Sequence, residues 1–201
     1  MKLYFSPGAC SLAPHIVLQA TGLPCALERV DLRTKQTAGG IDFRTINPKG
    51  YVPALQLDDG QMLTEAQVIV QYLADQAPAS GLAPAAGTFE RYQLMEWLSY
   101  LATELQKRFA PLFTPGTSSQ AKEAAWAALA TPLNHVASRL EGREYLCGEG
   151  FTVADAYLFA ALGWVGFAGF TLADWPVLQA WQGRIARLPF VHAAMKEEGL
   201  V

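Results

Sequence analysis

Residues 77–87, APASGLAPAAG, separate two stretches of chain with different hydrophobic grammar. Pro and Gly at that density end regular structure. Before this segment short strand-like runs stand beside helical ones, and after it only helical spacing recurs. KLYF (2–5) predicts a strand, SLAPHIVLQATG (11–22) a helix closed by Gly22, and CALERVDL (25–32) a second strand. Farther on, VPALQLDDGQMLTEAQVIVQYLADQ holds two short strands joined at Asp58-Asp59-Gly60, then an amphipathic helix from Glu65 to about Gln76. The order β-α-β, a variable link, then β-β-α predicts an α/β domain over residues 1–78. A linker at 79–87 and an all-helical domain over 88–201 complete the division, with helical patterns at 88–113, 119–141, 153–168, 176–187 and 189–197.

A chain of 201 residues that is 51% apolar and 16% charged has ample material for two small cores or one large one. The longest apolar stretch, VADAYLFAALGWVGFAGF, is interrupted by Asp155 and by glycines. A membrane span needs about 20 mostly apolar residues, so a buried helix is expected there and no membrane association. MKLYFSPGAC lacks the apolar run of an export signal, which predicts a cytoplasmic address. The net charge of −3, without a cluster of Lys and Arg, argues against nucleic acid as a partner. Thr152 with Asp155 reads as an acidic variant of a capping box, with Phe151 placed for a staple to Ala156, and this is a folding signal.

Cys10, Cys25 and Cys147 lie far apart without Cys-x-x-Cys or Cys/His ligand spacing, so neither a disulfide framework nor a metal site is expected. Position separates the three. Pro14 is tolerated only among the first residues of a helix, whose N–H groups have no internal partner, so the first helix begins within about three residues before it. Cys10 and Ser11 then sit at its N-terminal end, where unpaired N–H groups and the macrodipole would lower the thiol pKa and populate the thiolate. The alternative is a small buried residue filling space between strand and helix. Ala13 stands where a dithiol motif would place its second cysteine, so any disulfide of Cys10 would be a mixed one with an external thiol.

The second candidate wall is NPKGYVPALQLDDGQMLTEA (47–66). A Val52-Pro53 bond in the cis form would turn the backbone of Val52 outward toward an extended peptide, although most bonds before proline are trans. Thr64 and Gln67 fit a capping box. The free N–H groups of residues 65 and 66 would suit a carboxylate and Glu65 an ammonium, which together describe the α-amino acid end of a ligand.

Taken together, PGACS, NPKGYVPAL, LTE, YLAD, EWLSYLATEL and FTVADAYL resemble the bacterial beta-class glutathione S-transferases over essentially the whole chain. The resemblance implies a thioredoxin-like N-terminal domain, an all-α C-terminal domain, a homodimer and a cis Val52-Pro53 bond. Glutathione would be the cosubstrate with no further cofactor, and a hydrophobic electrophile the second substrate. It marks Cys10 as the cysteine beside the glutathione sulfur and Lys35 as a glutathione contact. Val52, with Pro53, would pair with the cysteinyl backbone, and Glu65 with Ala66 would clamp the γ-glutamyl end. Ser11 is marked as the hydroxyl that donates to a thiolate, with Tyr4 and Ser6 as weaker candidates.

Ser99, Thr103 and Gln106 fall at i, i+4 and i+7, so an α-helix would put them on one face; the resemblance sets this stripe, with Glu104, at the border of the glutathione site. Gln106 departs from the histidine common in that class, and Ser99 from a longer asparagine. Glutamine donates a hydrogen bond but takes up no proton near neutral pH. Trp164 and Phe167 are candidates for the wall of an electrophile pocket. His15, His135 and His192 read as surface or packing residues. Glutathione transfer is the expected activity; a glutathione-dependent thiol-disulfide reductase using Cys10 and a non-catalytic glutathione-binding protein are its rivals.

Overall fold

The computed structural model describes residues 1–201. Lys2–Phe5 (β1), Ala26–Asp31 (β2), Gln36–Thr37 (β3), Ala54–Gln56 (β4) and Met62–Thr64 (β5) form one sheet in the order β3-β2-β1-β4-β5. β1 runs parallel to β2 and antiparallel to β4, and β4 is antiparallel to β5. Helix α1 (Leu12–Thr21) makes the crossover between β1 and β2, and α2 (Ala66–Gln76) follows β5. This is the expected thioredoxin-like arrangement. The short β3 lies in the link for which no element was foreseen.

Side-chain alternation on β1 explains the two faces of the sheet. Leu3 and Phe5 point into the main core with Ile16, Val17 and Ile69, while Tyr4 points the other way and packs with Val30, Phe43 and Val52. The turn that follows is a type II turn in outline: Pro7 precedes Gly8, whose φ of 69° is the left-handed value required there, and Ala9 N–H donates to Ser6 C=O at 3.0 Å. Helix α1 starts at Leu12, within the limit set by Pro14, and closes on Gly22 in the left-handed conformation.

Beyond residue 88 the chain is helical. Helix α3 spans Phe89–Tyr100, α4 Ala110–Phe113, α5 Ser119–Ala128, α6 Ala130–Leu140, α7 Val153–Phe167, α8 Pro176–Ile185 and α9 Pro189–Glu197. Two expected helices are broken, one of them at a proline. Pro132 is confined to a first turn, so 119–141 divides at Leu129 and restarts at Ala130. Residues 101–109 leave the α form, running as a π-helical Leu101–Leu105 and a 3₁₀ Gln106–Phe109; Pro111, which cannot bond Lys107 C=O, bears only on the end of that stretch.

Helix α7 is the buried helix expected from its composition; with 15 residues it is too short to cross a membrane, as is every other helix. The Thr152–Asp155 capping box at its start forms as the sequence suggested. Asp155 accepts Thr152 N–H at 2.9 Å, Thr152 Oγ1–H at 2.9 Å and Leu146 N–H at 2.8 Å. Phe151 packs its ring edge-on against Tyr145 and Phe190. Helix α1 packs on α2, α7 and α9, so one continuous apolar core joins the sheet to the helical half.

Candidate active site

A cleft of about 390 Å³ opens between the sheet half and the helical half. Cys10, Val52, Pro53, Glu65 and Ala66 line its first wall, and Gln106, Tyr157 and Trp164 its second. The topology brings together residues that are more than a hundred positions apart.

Cys10 occupies the end of the loop between β1 and α1. Its Sγ–H donates to Val52 C=O at 3.2 Å. Burial pushes the thiol up to about 12, with Glu65 adding to the rise; the N–H groups of Cys10 and Ser11 and the Gln106 side chain pull the other way and are outweighed. The expected thiolate is thus corrected: the helix terminus acts in the predicted direction, but desolvation is larger. Ser11 is corrected too. It is fully buried, its Oγ accepts Ser6 N–H at 3.1 Å and donates to Ser6 C=O at 3.2 Å, and it braces the loop from behind instead of lining the cleft.

The C-terminal half grips the same loop. Gly8 N–H donates to Glu198 Oε2 at 2.8 Å, and Trp164 Nε1–H donates to Gly8 C=O at 2.8 Å. His15 is a buried residue held between Glu198 Oε1 at 3.0 Å and Glu197 Oε2 at 2.8 Å. Phe167 stands over Gly8, 62% exposed, and does not line the cleft, which corrects its assignment to the pocket wall.

The Val52-Pro53 bond is cis. Asn47 Nδ2–H braces the preceding carbonyl of Tyr51 at 2.8 Å, and Val52 N–H donates to no group of the protein. Lys35 lies behind this loop, its Nζ donating to Gly50 C=O at 2.9 Å and standing 5.3 Å from the centroid of the Tyr51 ring. It is not part of the cleft lining.

The Thr64-Gln67 capping box does not form. Thr64 ends β5, and its Oγ1 accepts from Lys49 Nζ at 3.0 Å. Lys49 also reaches Glu65 Oε1 at 2.7 Å. Glu65 takes φ 70° and ψ 114°, a conformation costly for a residue with a Cβ, by about 1–3 kcal/mol. That kink starts α2 at Ala66, where the N–H groups of Ala66 and Gln67 have no partner in the chain. Lys49 lines the cleft and was not anticipated; its partner Glu65 is 16 residues away, with no local pattern linking them.

On the helical wall the π segment overturns the expected stripe. Gln106 N–H bonds back to Leu101 C=O, five residues away, so the count of i, i+4 and i+7 no longer describes one face. Gln106 lines the cleft, whereas Ser99 and Thr103 are exposed and bond to each other, Thr103 Oγ1–H to Ser99 C=O at 3.1 Å. Glu104 pairs with Arg108 at 2.6 Å outside it. Tyr157, a second residue that was missed, reaches Gln106 Oε1 with its hydroxyl.

Comparison with known proteins agrees with this architecture. The family model described as Glutathione S-transferase, N-terminal domain, matches residues 8–76, and that for the C-terminal domain matches residues 100–189. Glutathione S-transferase GstA of Escherichia coli O157:H7 is 44% identical over the full length of both chains. Among solved structures, a sphingomonad glutathione S-transferase complexed with glutathione is 50% identical with a TM-score of 0.95, covering 100% of each chain. A bacterial beta-class glutathione S-transferase of Sphingomonas chungbukensis is 51% identical with a TM-score of 0.96, again over 100% of both. The chain belongs to the glutathione S-transferase family.

Proposed function

We propose that the protein is a glutathione transferase that binds glutathione in the cleft between its two halves and directs the glutathione thiolate at a hydrophobic electrophile. The observation that carries this is the set of polar groups along the first wall: the free Val52 N–H, the unpartnered N–H groups opening α2, and the carboxylate of Glu65, paired on one oxygen with Lys49. They match, in that order, the cysteinyl backbone, the γ-glutamyl carboxylate and the γ-glutamyl ammonium of glutathione. Lys49 compensates the Glu65 charge at the rim, and Lys35 sets the loop carrying Val52. Raising the thiolate fraction of glutathione raises the amount of attacking nucleophile. Trp164 and neighbouring apolar groups form the electrophile side.

Cys10 serves here as a neighbour of the glutathione sulfur. A reductase would need Cys10 as the attacking thiolate, and a thiol pushed up to about 12 supplies very little of it near neutral pH. We place the functional division of the chain at residues 79–87, and the active unit as a homodimer, for which the exposed Phe89, Tyr92 and Met95 on α3 offer an apolar face. Three unpaired cysteines suit a reducing compartment and a cytoplasmic address.

Calorimetric titration of glutathione into wild type and Glu65→Gln, beside a conjugation assay with a generic aryl halide, tests the assignment. Loss of roughly tenfold or more in affinity in the variant supports it, in keeping with removal of a charged hydrogen-bond partner. Unchanged affinity would overturn it, and conjugation abolished in Cys10→Ala would overturn the reading of Cys10 as a mere neighbour of the sulfur.

A further inference from the structure

Tyr157 on α7 is 3% exposed, yet its hydroxyl reaches into the cleft and bonds Gln106 Oε1. The chemistry of the two groups fixes the direction of that bond. An amide oxygen only accepts, so the phenol is the donor and the amide NH₂ is left facing away from Tyr157. Burial, reinforced by Cys10 and Glu65, raises the Tyr157 pKa well above the usual phenol range, so it stays protonated and remains a donor. Gln106 lines the cleft that Cys10 also lines, and it is among the groups that draw the Cys10 pKa down against burial. The π turn at Leu101–Leu105 gives Gln106 this position.

We propose that Tyr157 is a positioning residue that locks the Gln106 amide with its N–H end toward the sulfur position of the cleft, presenting a neutral donor there; this rests on the glutathione reading of the cleft. A side chain rotated by half a turn would present its oxygen to the thiolate and repel it. With the amide locked, the thiolate is stabilised by a donor whose charge does not change with pH. The titratable groups lining the cleft are then Cys10, Lys49, Tyr51, Glu65 and Tyr157, none of which is an imidazole.

The test is a pH titration of the ultraviolet thiolate absorbance of bound glutathione in wild type, Tyr157→Phe, Gln106→Leu and the double variant, with calorimetric affinity for glutathione on the same samples. Tyr157→Phe removes one oxygen and leaves the ring in place. It is expected to weaken ionisation of the bound thiol by up to roughly tenfold, the scale of one hydrogen bond to a charge. Gln106→Leu should do so at least as strongly, and the double variant should equal Gln106→Leu alone, because Tyr157 acts only through Gln106. Unmoved ionisation in Tyr157→Phe, or additive effects in the double variant, would overturn the proposal while normal glutathione affinity left the cleft assignment standing. Wild type that bound no glutathione would overturn both. A second readout needs no glutathione: with Cys25 and Cys147 replaced by Ser, alkylation of Cys10 by iodoacetamide at fixed pH should slow in Tyr157→Phe, and an unchanged rate counts against the proposal.

Discussion

Glu198, whose side chain is entirely withdrawn from solvent, accepts the backbone N–H of Gly8 at 2.8 Å across 190 positions of sequence. The end of the chain thereby holds the loop that carries Cys10, and Trp164 holds the carbonyl of the same glycine. Glu198→Ala leaves Gly8 N–H and His15 Nδ1 without their buried partner, which should cost about 3–5 kcal/mol. Glu198→Gln keeps one acceptor oxygen for the two groups and should lose less, about 1–3 kcal/mol. Denaturant midpoints of the two variants check the order; equal losses would mean that the hydrogen-bond geometry at Gly8 is unimportant.

Gly8 itself is predicted to tolerate no side chain. Its φ of 69° alone makes Gly8→Ala unfavourable by about 1–2 kcal/mol. A Cβ would also meet Phe167 Cε2 at 2.8 Å, although that exposed ring has room to swing away. Adding Phe167→Ala to Gly8→Ala should therefore recover only the steric part of the loss. Full recovery of the thermal midpoint in the double variant would contradict the backbone account.

What could be read along the chain, and what could not, divides by the range of the forces involved. Pro14 limited where α1 starts, and Thr152 with Asp155 marked the start of α7, because each acts through its own turn. Pro132 carried the same kind of signal for the helix broken at Leu129, and it was passed over. The Thr64-Gln67 box looked equally local, yet Lys49, 15 residues away, captured Thr64 and the kink at Glu65 began the helix elsewhere. The inward turn of Ser11, the desolvation of Cys10 and the Tyr157–Gln106 pair depend on groups brought together only by the complete fold. Of the residues marked by resemblance, Cys10, Val52, Glu65 and Gln106 line the cleft, while Ser99 and Thr103 keep their helical spacing but do not line it, the π turn setting Gln106 off their face.

The inward Ser11 makes a prediction opposite to that of a thiolate donor. Ser11→Ala leaves Ser6 N–H unpaired in a half-buried loop and should destabilise the protein by about 1 kcal/mol or more. A donor to sulfur would instead show its loss in the ionisation of bound glutathione, with stability nearly unchanged. Measuring both on the same variant separates the two: lost stability without a specific change in thiol ionisation is expected.

Asp155 predicts how stability depends on pH. Burial raises its carboxyl to about 6 despite the three donors from Leu146 and Thr152. Its folded pKa lies above the unfolded value of 3.8, so the folded state holds the proton more tightly and the contribution is complete below that value. Stability is then lost as pH rises from about 4 to about 6, by roughly 3 kcal/mol at about 1.4 kcal/mol per pKa unit. His15 acts in a higher window. Burial opposes its charge, but Glu198 and Glu197 outweigh burial and raise its pKa above 6.5, so its contribution is lost as pH rises through that raised value. Asp31, Asp42 and Asp59 have lowered values, contribute the opposite sign below about 4 and stay clear of both windows. Chemical denaturation of Asp155→Asn at about pH 4 and about pH 6 should show a flatter dependence than wild type, together with a lower overall stability from the lost acceptors. An unchanged slope would mean that Asp155 titrates in the fold as it does in the unfolded chain.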